Sequence, residues 1–202
     1  MLSHNIPFGY NKKYYSQSVL RNNEMIDKDS FRQVCLERLK RVKVKKAYKN
    51  DKKILSLLVA YIKKHNIQNV FLYVPMGIEV NTYPLIAQLR KEKKQVYVPF
   101  MEGKSFRLVK YRLPLRQKRF GIKEPNDSKQ FRNKKIDLAI VPIVGTDTTW
   151  RRVGFGKGMY DRFFEKEHKN INKVIFVARE LCYSKEIVTN HFDIKADMIF
   201  TP

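Results

Sequence analysis

Short apolar runs and amphipathic segments alternate along this chain. Four runs rich in branched and aromatic residues have the length and composition of buried parallel strands. They lie at positions 70–74, 95–100, 138–142 and 173–178. Residues 106–111 alternate apolar and polar side chains, which indicates an antiparallel or edge strand.

Before and between these runs, apolar residues recur at the spacing of α-helices. The first such segment has Asp29 or Ser30 in position to cap a helix. A second helix is predicted over residues 52–65, with Asp51 as its cap. A third helix is predicted to start at Thr82, because a proline follows in what would be its first turn.

The alternation of strands and helices predicts the fold class. It indicates an α/β protein, a single-domain three-layer sandwich with a mostly parallel, Rossmann-like sheet. In such sheets the ligand lies at the carboxyl ends of the strands. Residues 1–24 show no sustained period and are predicted to be a poorly ordered extension, which leaves residues 25–202 as the folded domain.

Composition and charge narrow the class of partner. The chain has 202 residues, is 43% hydrophobic and carries a formal net charge of +23. No run has the length of a membrane span, so no membrane partner is expected. Residues 90–135 hold 16 Lys and Arg against 4 Asp and Glu, a net charge of +12. This excess favours anionic ligands, but no nucleic-acid module is recognisable and nucleic acid is not the expected partner.

The two cysteines, Cys35 and Cys182, stand far apart and form no metal-binding spacing. We interpret them as packed intracellular thiols rather than a disulfide. A cytoplasmic location is the corresponding expectation.

The most informative stretch is the glycine segment, residues 152–162, which follows the apolar run 138–142. It has glycines at three alternate positions and is followed by helix-compatible residues. Glycines let the backbone approach a ligand closely, and a helix N-terminus favours an anion. Arg152 and Lys157 add full positive charges, so a phosphate site is predicted. The segment matches neither the Walker A loop nor the dinucleotide fingerprint.

The glycine segment, after a strand that ends in Val-Pro, resembles the nucleotide loop of the 5-formyltetrahydrofolate cyclo-ligase family. The resemblance extends over about residues 28–201. It includes Lys-x-x-x-Arg at 28–32, Glu-Val-x-Thr at 79–82 and Phe-Gly-Ile-x-Glu-Pro at 120–125. It implies ATP-dependent closure of 5-formyltetrahydrofolate to 5,10-methenyltetrahydrofolate, with Mg²⁺ as cofactor and ATP as co-substrate.

The resemblance also implies the site residues. ATP would be bound by Lys28, Arg32, Arg152, Val153, Gly154, Phe155, Gly156, Lys157, Gly158 and Tyr160. The folate would contact Val74, Met76, Glu79, Phe120, Phe155 and Met159. Asp161 and Asp193 would hold the metal, and Lys157 and Arg152 would act in catalysis.

This sequence departs from the family pattern at several positions. Met159 stands where a tyrosine is usual, and Trp150 replaces a turn glycine. We therefore predict weaker folate binding than in a typical member. The expected partners are ATP and a folate with or without a polyglutamate tail. The protein itself is expected to be a monomer. The alternative is a cyclo-ligase-like protein with a lost or altered substrate, which would act as a basic nucleotide- or nucleic-acid-binding protein.

Overall fold

The computed structural model describes residues 27–117, 123–125 and 135–202. Its helices are α1 (Lys28–Lys40), α2 (Val44–Lys64), α3 (Tyr83–Lys91) and α4 (Met159–Glu167). Its strands are β1 (Asn69–Phe71), β2 (Gln95–Glu102), β3 (Ser105–Lys110), β4 (Arg116–Gln117), β5 (Lys123–Glu124), β6 (Leu138–Pro142), β7 (Gly145–Thr146), β8 (Arg152–Val153), β9 (Val174–Val177) and β10 (Met198–Phe200). None of the described helices combines the length and apolar character needed to cross a bilayer.

Six of these strands form the central sheet, in the order β10-β9-β6-β1-β2-β3. Every neighbouring pair is parallel except β2 and β3, which are antiparallel. Both the mostly parallel sheet and the antiparallel edge strand were predicted. The predicted strand at 138–142 coincides with β6, whereas the run 70–74 is a strand only over Asn69–Phe71.

Helices cover both faces of this sheet. Along β6, Leu138 and Ile140 pack with Ile54 and Leu58 of α2 on one face. Ala139 and Val141 alternate with them and pack on the other face with Phe163 and Phe164 of α4. Burying one Ile or Leu side chain contributes roughly 1.5–3 kcal/mol, so these two layers supply much of the stability. The predicted single-domain three-layer sandwich is confirmed.

Two predicted helix starts were wrong. Asp27, not Asp29 or Ser30, is the N-cap of α1, and its Oδ1 accepts bonds from the N–H groups of Asp29 (2.7 Å) and Ser30 (2.9 Å). Helix α2 begins at Val44, so Asp51 is inside the helix instead of capping it. Asp51 is buried there by a tertiary contact that helical spacing does not reveal.

The interpretation of the cysteines was also wrong. Cys35 of α1 and Cys182, which follows β9, form a disulfide. The bond lies in a small cluster that also contains Phe31, Leu39 and Val153. The two cysteines are separated by 147 positions, so their spacing carried no information about their proximity.

Candidate functional site

The candidate site lies at the carboxyl ends of β1 and β6, where the β1–α3 loop (residues 72–82) and the glycine segment emerge. A two-stranded antiparallel ribbon of β7 and β8 separates β6 from the rest of the glycine segment. The ribbon was not predicted, because strands of only two residues leave no apolar periodicity in the sequence.

Arg152, in β8, is the buried cation of the site. Its Nε donates to the carbonyl oxygen of Pro142 at 2.9 Å, and its guanidinium lies 4.5 Å from the centre of the Tyr160 ring. The Tyr160 ring in turn packs against the rings of Phe71 and Phe106. Burial lowers the pKa of Arg152, and the nearby side chains of Tyr160, Asp161, Glu79 and Asp193 oppose that change electrostatically. Arg152 is therefore fixed in a pocket surrounded by carboxylates.

The first two glycines of the segment lie against arginine side chains. A Cβ at Gly154 would overlap the Arg152 guanidinium. A Cβ at Gly156 would lie 3.4 Å from the Arg32 guanidinium, and Gly156 has a φ of 84°, which disfavours other residues. The Nε of Arg32 also donates to the carbonyl oxygen of Gly154 at 2.8 Å. Arginine side chains therefore make a close approach to the backbone at both glycines.

The third glycine, Gly158, also lies against an arginine side chain. Gly158 has a φ of 61°, and a Cβ there would lie 2.6 Å from Nη1 of Arg162. Arg162 donates from Nη2 to the carbonyl oxygen of Lys157 and from Nε to that of Lys104. The backbone beside Lys157 is thus held in place, while its side chain is exposed and forms no ion pair with any described residue.

The N-terminal turns of α1 bring two more predicted ATP-binding residues to this place. Arg32 reaches the glycine segment as described, and it also pairs with Asp29. The Nζ of Lys28 lies 2.5 and 2.6 Å from the two carboxylate oxygens of Asp193. Arg32 thus reaches the glycine segment across 122 positions of sequence, and Lys28 reaches Asp193 across 165 positions.

The two predicted metal ligands have different surroundings. The Oδ1 atom of Asp161 is buried and has no hydrogen-bond partner within the described part of the chain. The Asp193 carboxylate is held by Lys28 and by the backbone N–H of Asn190 at 2.8 Å. No group of three or more His, Cys, Asp or Glu suited to a metal is found among residues 27–117, 123–125 and 135–202. Asp161 thus has an oxygen available to a cation, whereas Asp193 must first release Lys28.

A cavity of about 680 Å³ opens beside these carboxylates, between α4 and the segment 191–195. Asp161 and Asp193 are among its charged lining residues. Phe164, Ile171 and Ile194 contribute apolar surface. A volume of this size with both kinds of lining suits a small organic ligand that carries charge.

Glu79 is the buried carboxyl of the β1–α3 loop. Its Oε2 accepts a bond from the Met76 N–H at 2.8 Å, which closes the loop on itself. Burial raises the pKa of Glu79 to about 7, although the Met76 N–H and the guanidinium groups of Arg152 and Arg179 act in the opposite direction. Val74 is half-buried and Met76 is exposed. Glu79 can therefore gain or lose a proton near neutral pH.

A buried ion pair that was not predicted from the sequence fixes the β1–α3 loop. Arg179, two residues after β9, donates from Nε and Nη2 to the two carboxylate oxygens of Asp51, each at 2.8 Å. Its Nη1 donates to the carbonyl oxygen of Gly77 at 2.7 Å. A bidentate pair of this kind is directional, so Arg179 orients the turn that carries Met76 and Glu79. No local sequence motif predicts an ion pair whose members are 128 positions apart.

The two loops meet on α1. Ile78 of the β1–α3 loop and Phe155 of the glycine segment both pack against the cluster that contains Phe31 and Cys35. Helix α1 therefore supports both halves of the site, and the disulfide attaches it to the segment after β9.

The remaining predicted site residues are placed as follows. Val153 is buried in the α1 cluster, and Met159 is the first residue of α4, where its carbonyl oxygen accepts a bond from Ser105 at 3.3 Å. Trp150 has a φ of 60°, the left-handed conformation for which a glycine is suited. Phe120 lies outside the described residues.

Comparison with known proteins gives a family for this arrangement. Residues 24–202 match the model of the 5-formyltetrahydrofolate cyclo-ligase family. A 5-formyltetrahydrofolate cyclo-ligase of Mycoplasma genitalium is 28% identical over 180 residues, which cover 87% of this chain and 98% of the relative. A probable 5-formyltetrahydrofolate cyclo-ligase of Schizosaccharomyces pombe is 32% identical over 153 residues, which cover 67% of this chain and 75% of the relative.

The fold is similar to that of a solved structure. The 5,10-methenyltetrahydrofolate synthetase of Aquifex aeolicus superimposes with a TM-score of 0.72 at 27% sequence identity. The superposition covers 85% of this chain and 88% of that protein.

Proposed function

The chain belongs to the 5-formyltetrahydrofolate cyclo-ligase family, and on that premise we propose that it closes 5-formyltetrahydrofolate to 5,10-methenyltetrahydrofolate with consumption of ATP. One observation carries this proposal. The cationic glycine segment, the buried carboxyl of Glu79 and the helix with Lys28 and Arg32 converge at one edge of the sheet. Such a site can hold a polyphosphate and a neutral heterocycle side by side.

The reaction requires activation of a poor leaving group. The formyl oxygen attacks the γ-phosphorus of ATP, the bond to the bridging oxygen breaks, and ADP leaves. The resulting iminium phosphate is attacked by N10, which loses its proton, and phosphate then departs as the carbon–oxygen bond breaks. A transfer of this kind depends on positioning and charge neutralisation more than on a protein nucleophile.

The phosphates would lie on the cationic side of the site. Lys157 is exposed on the glycine segment, and its ammonium would contact the transferring phosphoryl group. Arg152 and Arg32 would add charge from fixed positions, because Pro142 and Gly154 already hold their guanidinium groups. Preorganised charges stabilise a developing anion without reorganisation during the reaction. The cavity beside α4 would receive the nucleoside.

Mg²⁺ fits the carboxylates at this position. Asp161 would bind it through the oxygen that lacks a partner among the described residues, and Asp193 would join when Lys28 moves to the nucleotide. When bound, the ion neutralises phosphate charge. The Lys28–Asp193 pair would thus be exchanged for two new contacts, one from Lys28 to the nucleotide and one from Asp193 to the metal.

The folate would lie on the β1–α3 side. Glu79 would contact its polar ring, and Val74, Met76 and Met159 would line the apolar part. A polyglutamate tail would be favoured by the basic surface. The sequence-based expectations of a monomer and of a cytoplasmic location stay predictions.

The experiment follows absorbance at the methenyl band as the protein meets 5-formyltetrahydrofolate and Mg²⁺, with and without ATP. We expect an ATP-dependent rise that Lys157→Ala reduces by at least about 100-fold, as for loss of a charge that contacts the transition state. Lys166→Ala, which removes an equally exposed charge at the far end of α4, should leave the rate within about twofold.

Two outcomes would contradict the proposal. If neither the wild type nor Lys166→Ala produced the methenyl band while ATP still bound, the chain would be a nucleotide-binding protein with another substrate. If Lys157→Ala turned over as fast as Lys166→Ala, the glycine segment would not be the phosphoryl-transfer site.

A further inference from the structure

A second concentration of positive charge lies at the opposite edge of the sheet. We call it the basic cavity, a depression of about 250 Å³ lined by Arg90, Lys93, Lys94, Lys110 and Tyr111 together with the first residues of β2. Residues 95 and 96 begin β2, and residue 110 ends the antiparallel β3 beside them. The basic cavity therefore faces away from the carboxyl ends of the strands, where the candidate active site lies.

The backbone at this cavity is held in an unfavourable conformation. Helix α3 ends in a Schellman motif, in which Lys94 N–H donates to the Leu89 carbonyl oxygen at 2.9 Å and Lys93 N–H to that of Arg90 at 3.0 Å. Lys93 occupies the left-handed position of the motif, with a φ of 60°. Glycine is the usual residue there, because a side chain in this conformation costs on the order of 1 kcal/mol.

Helix α2 ends in the same motif with a conventional residue. Ile67 N–H donates to the Ile62 carbonyl oxygen at 3.1 Å and Asn66 N–H to that of Lys63 at 3.3 Å. Asn66 has a φ of 51°, and asparagine tolerates this region better than lysine does. The chain thus uses a tolerant residue at one helix end and accepts strain at the other, where the side chain lines the basic cavity.

Neutral groups position two of the other cations, Lys94 and Arg90, without cancelling their charge. Lys94 Nζ donates to the Ile67 carbonyl oxygen at 2.7 Å, and the Arg90 guanidinium lies 5.4 Å from the centre of the Tyr111 ring. No carboxylate is among the described residues that line the cavity. The positive charges of the cavity repel one another. The carbonyl groups at the C-terminus of α3 offset part of this repulsion, by about 0.3–1 kcal/mol for a cation in the last turn.

We propose that the basic cavity binds a phosphate-bearing anion, at a site separate from the ATP-binding glycine segment. The guanidinium of Arg90 and the ammonium groups of Lys93 and Lys94, which converge at the end of α3, present the donors that phosphate oxygens accept. The volume suits a group of the size of a diphosphate. A free diphosphate and the backbone of a single-stranded RNA offer the same chemistry, and the surplus of charge in residues 90–135 favours both.

The test is a calorimetric titration of the full chain with inorganic diphosphate, in a Lys157→Ala background that weakens binding at the glycine segment. Lys93→Gly removes one ammonium and also relieves the strained φ. We expect this variant to bind diphosphate about tenfold more weakly while its melting temperature rises or stays constant. A loss of affinity in a protein that is no less stable cannot be attributed to misfolding.

Two matched variants complete the design. Asn66→Gly makes the same backbone change at the end of α2 without a change in charge, and Lys93→Arg keeps the charge. Both should bind diphosphate within about twofold of the parent. If Lys93→Gly bound as well as Asn66→Gly, the basic cavity would not be an anion site and the proposal would be overturned.

A parallel titration with a twelve-nucleotide oligouridine identifies the source of the phosphate. If RNA uses the basic cavity, Lys93→Gly should weaken its binding and reduce the slope of log affinity against log salt by about 0.7. An RNA affinity that does not change, beside a diphosphate affinity that falls, would assign the site to a free phosphorylated compound.

Discussion

The two halves of the candidate site are stabilised in different ways. In the half proposed to bind phosphate, arginine side chains lie directly on the glycine backbone, and two of the three pairs, Gly154 with Arg152 and Gly158 with Arg162, are local in sequence. In the half proposed to bind the folate, the β1–α3 loop is oriented by Arg179 and Asp51, which are 128 positions apart. The first half therefore leaves a motif in the sequence, whereas the second half leaves none.

The largest expected effect comes from breaking the Arg179–Asp51 ion pair, which contacts only the β1–α3 half of the site. Arg179→Ala leaves the buried Asp51 carboxylate without its partner, and we expect the free energy of unfolding to fall by about 3–5 kcal/mol. Because Gly77 also loses its contact, the KM for folate should rise more than the KM for ATP. Urea denaturation and steady-state kinetics measure both.

A surface arginine provides the control for this change. Arg41 is exposed and pairs with Glu37 across one helical turn at 3.7 Å. Arg41→Ala should change the free energy of unfolding by less than about 0.5 kcal/mol. An equal effect of the two variants would mean that Arg179 does not carry the loop.

The next effect concerns the protonation of Glu79. Its folded pKa of about 7 exceeds its ordinary value of 4.5, so the folded protein holds a proton that the unfolded chain releases between these pH values. The free energy of unfolding should therefore fall as pH rises from 4.5 to 7, by up to about 3 kcal/mol from this group. Glu79→Gln should flatten that dependence, and urea denaturation at pH 5 and pH 8 measures it.

Glu165 of α4 offers an exposed carboxylate for comparison. Glu165→Gln should leave the pH dependence of the wild type intact. Parallel pH profiles of the wild type and Glu79→Gln would show that Glu79 is not buried in its neutral form.

On the phosphate side, Gly154→Ala places a methyl group in the space of the Arg152 guanidinium. Because the guanidinium is buried and must move, we expect a loss of about 1–3 kcal/mol in stability. Turnover should fall by about 100-fold if Arg152 stabilises the phosphoryl group. Gly77→Ala in the other loop is the matched change, because a Cβ there would meet nothing within 4 Å. Turnover by Gly154→Ala at the rate of Gly77→Ala would argue against a fixed Arg152.

The smallest expected effect isolates the strain at Trp150. Both Trp150→Gly and Trp150→Ala remove the contact with Tyr183, whose ring centre lies 6.0 Å away, but only glycine relieves the φ of 60°. The glycine variant should therefore be more stable than the alanine variant by about 1 kcal/mol in thermal unfolding. At the exposed position Thr148, where φ is not positive, glycine should be no more stable than alanine.

These comparisons explain which predictions succeeded. The apolar run 138–142 was read correctly because side-chain periodicity is a local property, and the alternation of 106–111 identified the antiparallel β3 for the same reason. The helix predicted over residues 52–65 covers only part of α2. The first turns of α2 are mostly polar and exposed, so apolar periodicity does not reveal them. Asp51 looked like a cap for the same reason.

What the sequence by itself determined is therefore the mostly parallel α/β sheet, the position of the glycine segment and the family to which the chain belongs. Only the tertiary structure decided that Cys35 bonds to Cys182, that Lys28 holds Asp193, and that Arg179 orients the β1–α3 loop. It also decided that an arginine side chain lies against each of the three glycines. Periodicity and turn chemistry act over a few residues and can be read from the chain, whereas these contacts join residues that only folding brings together.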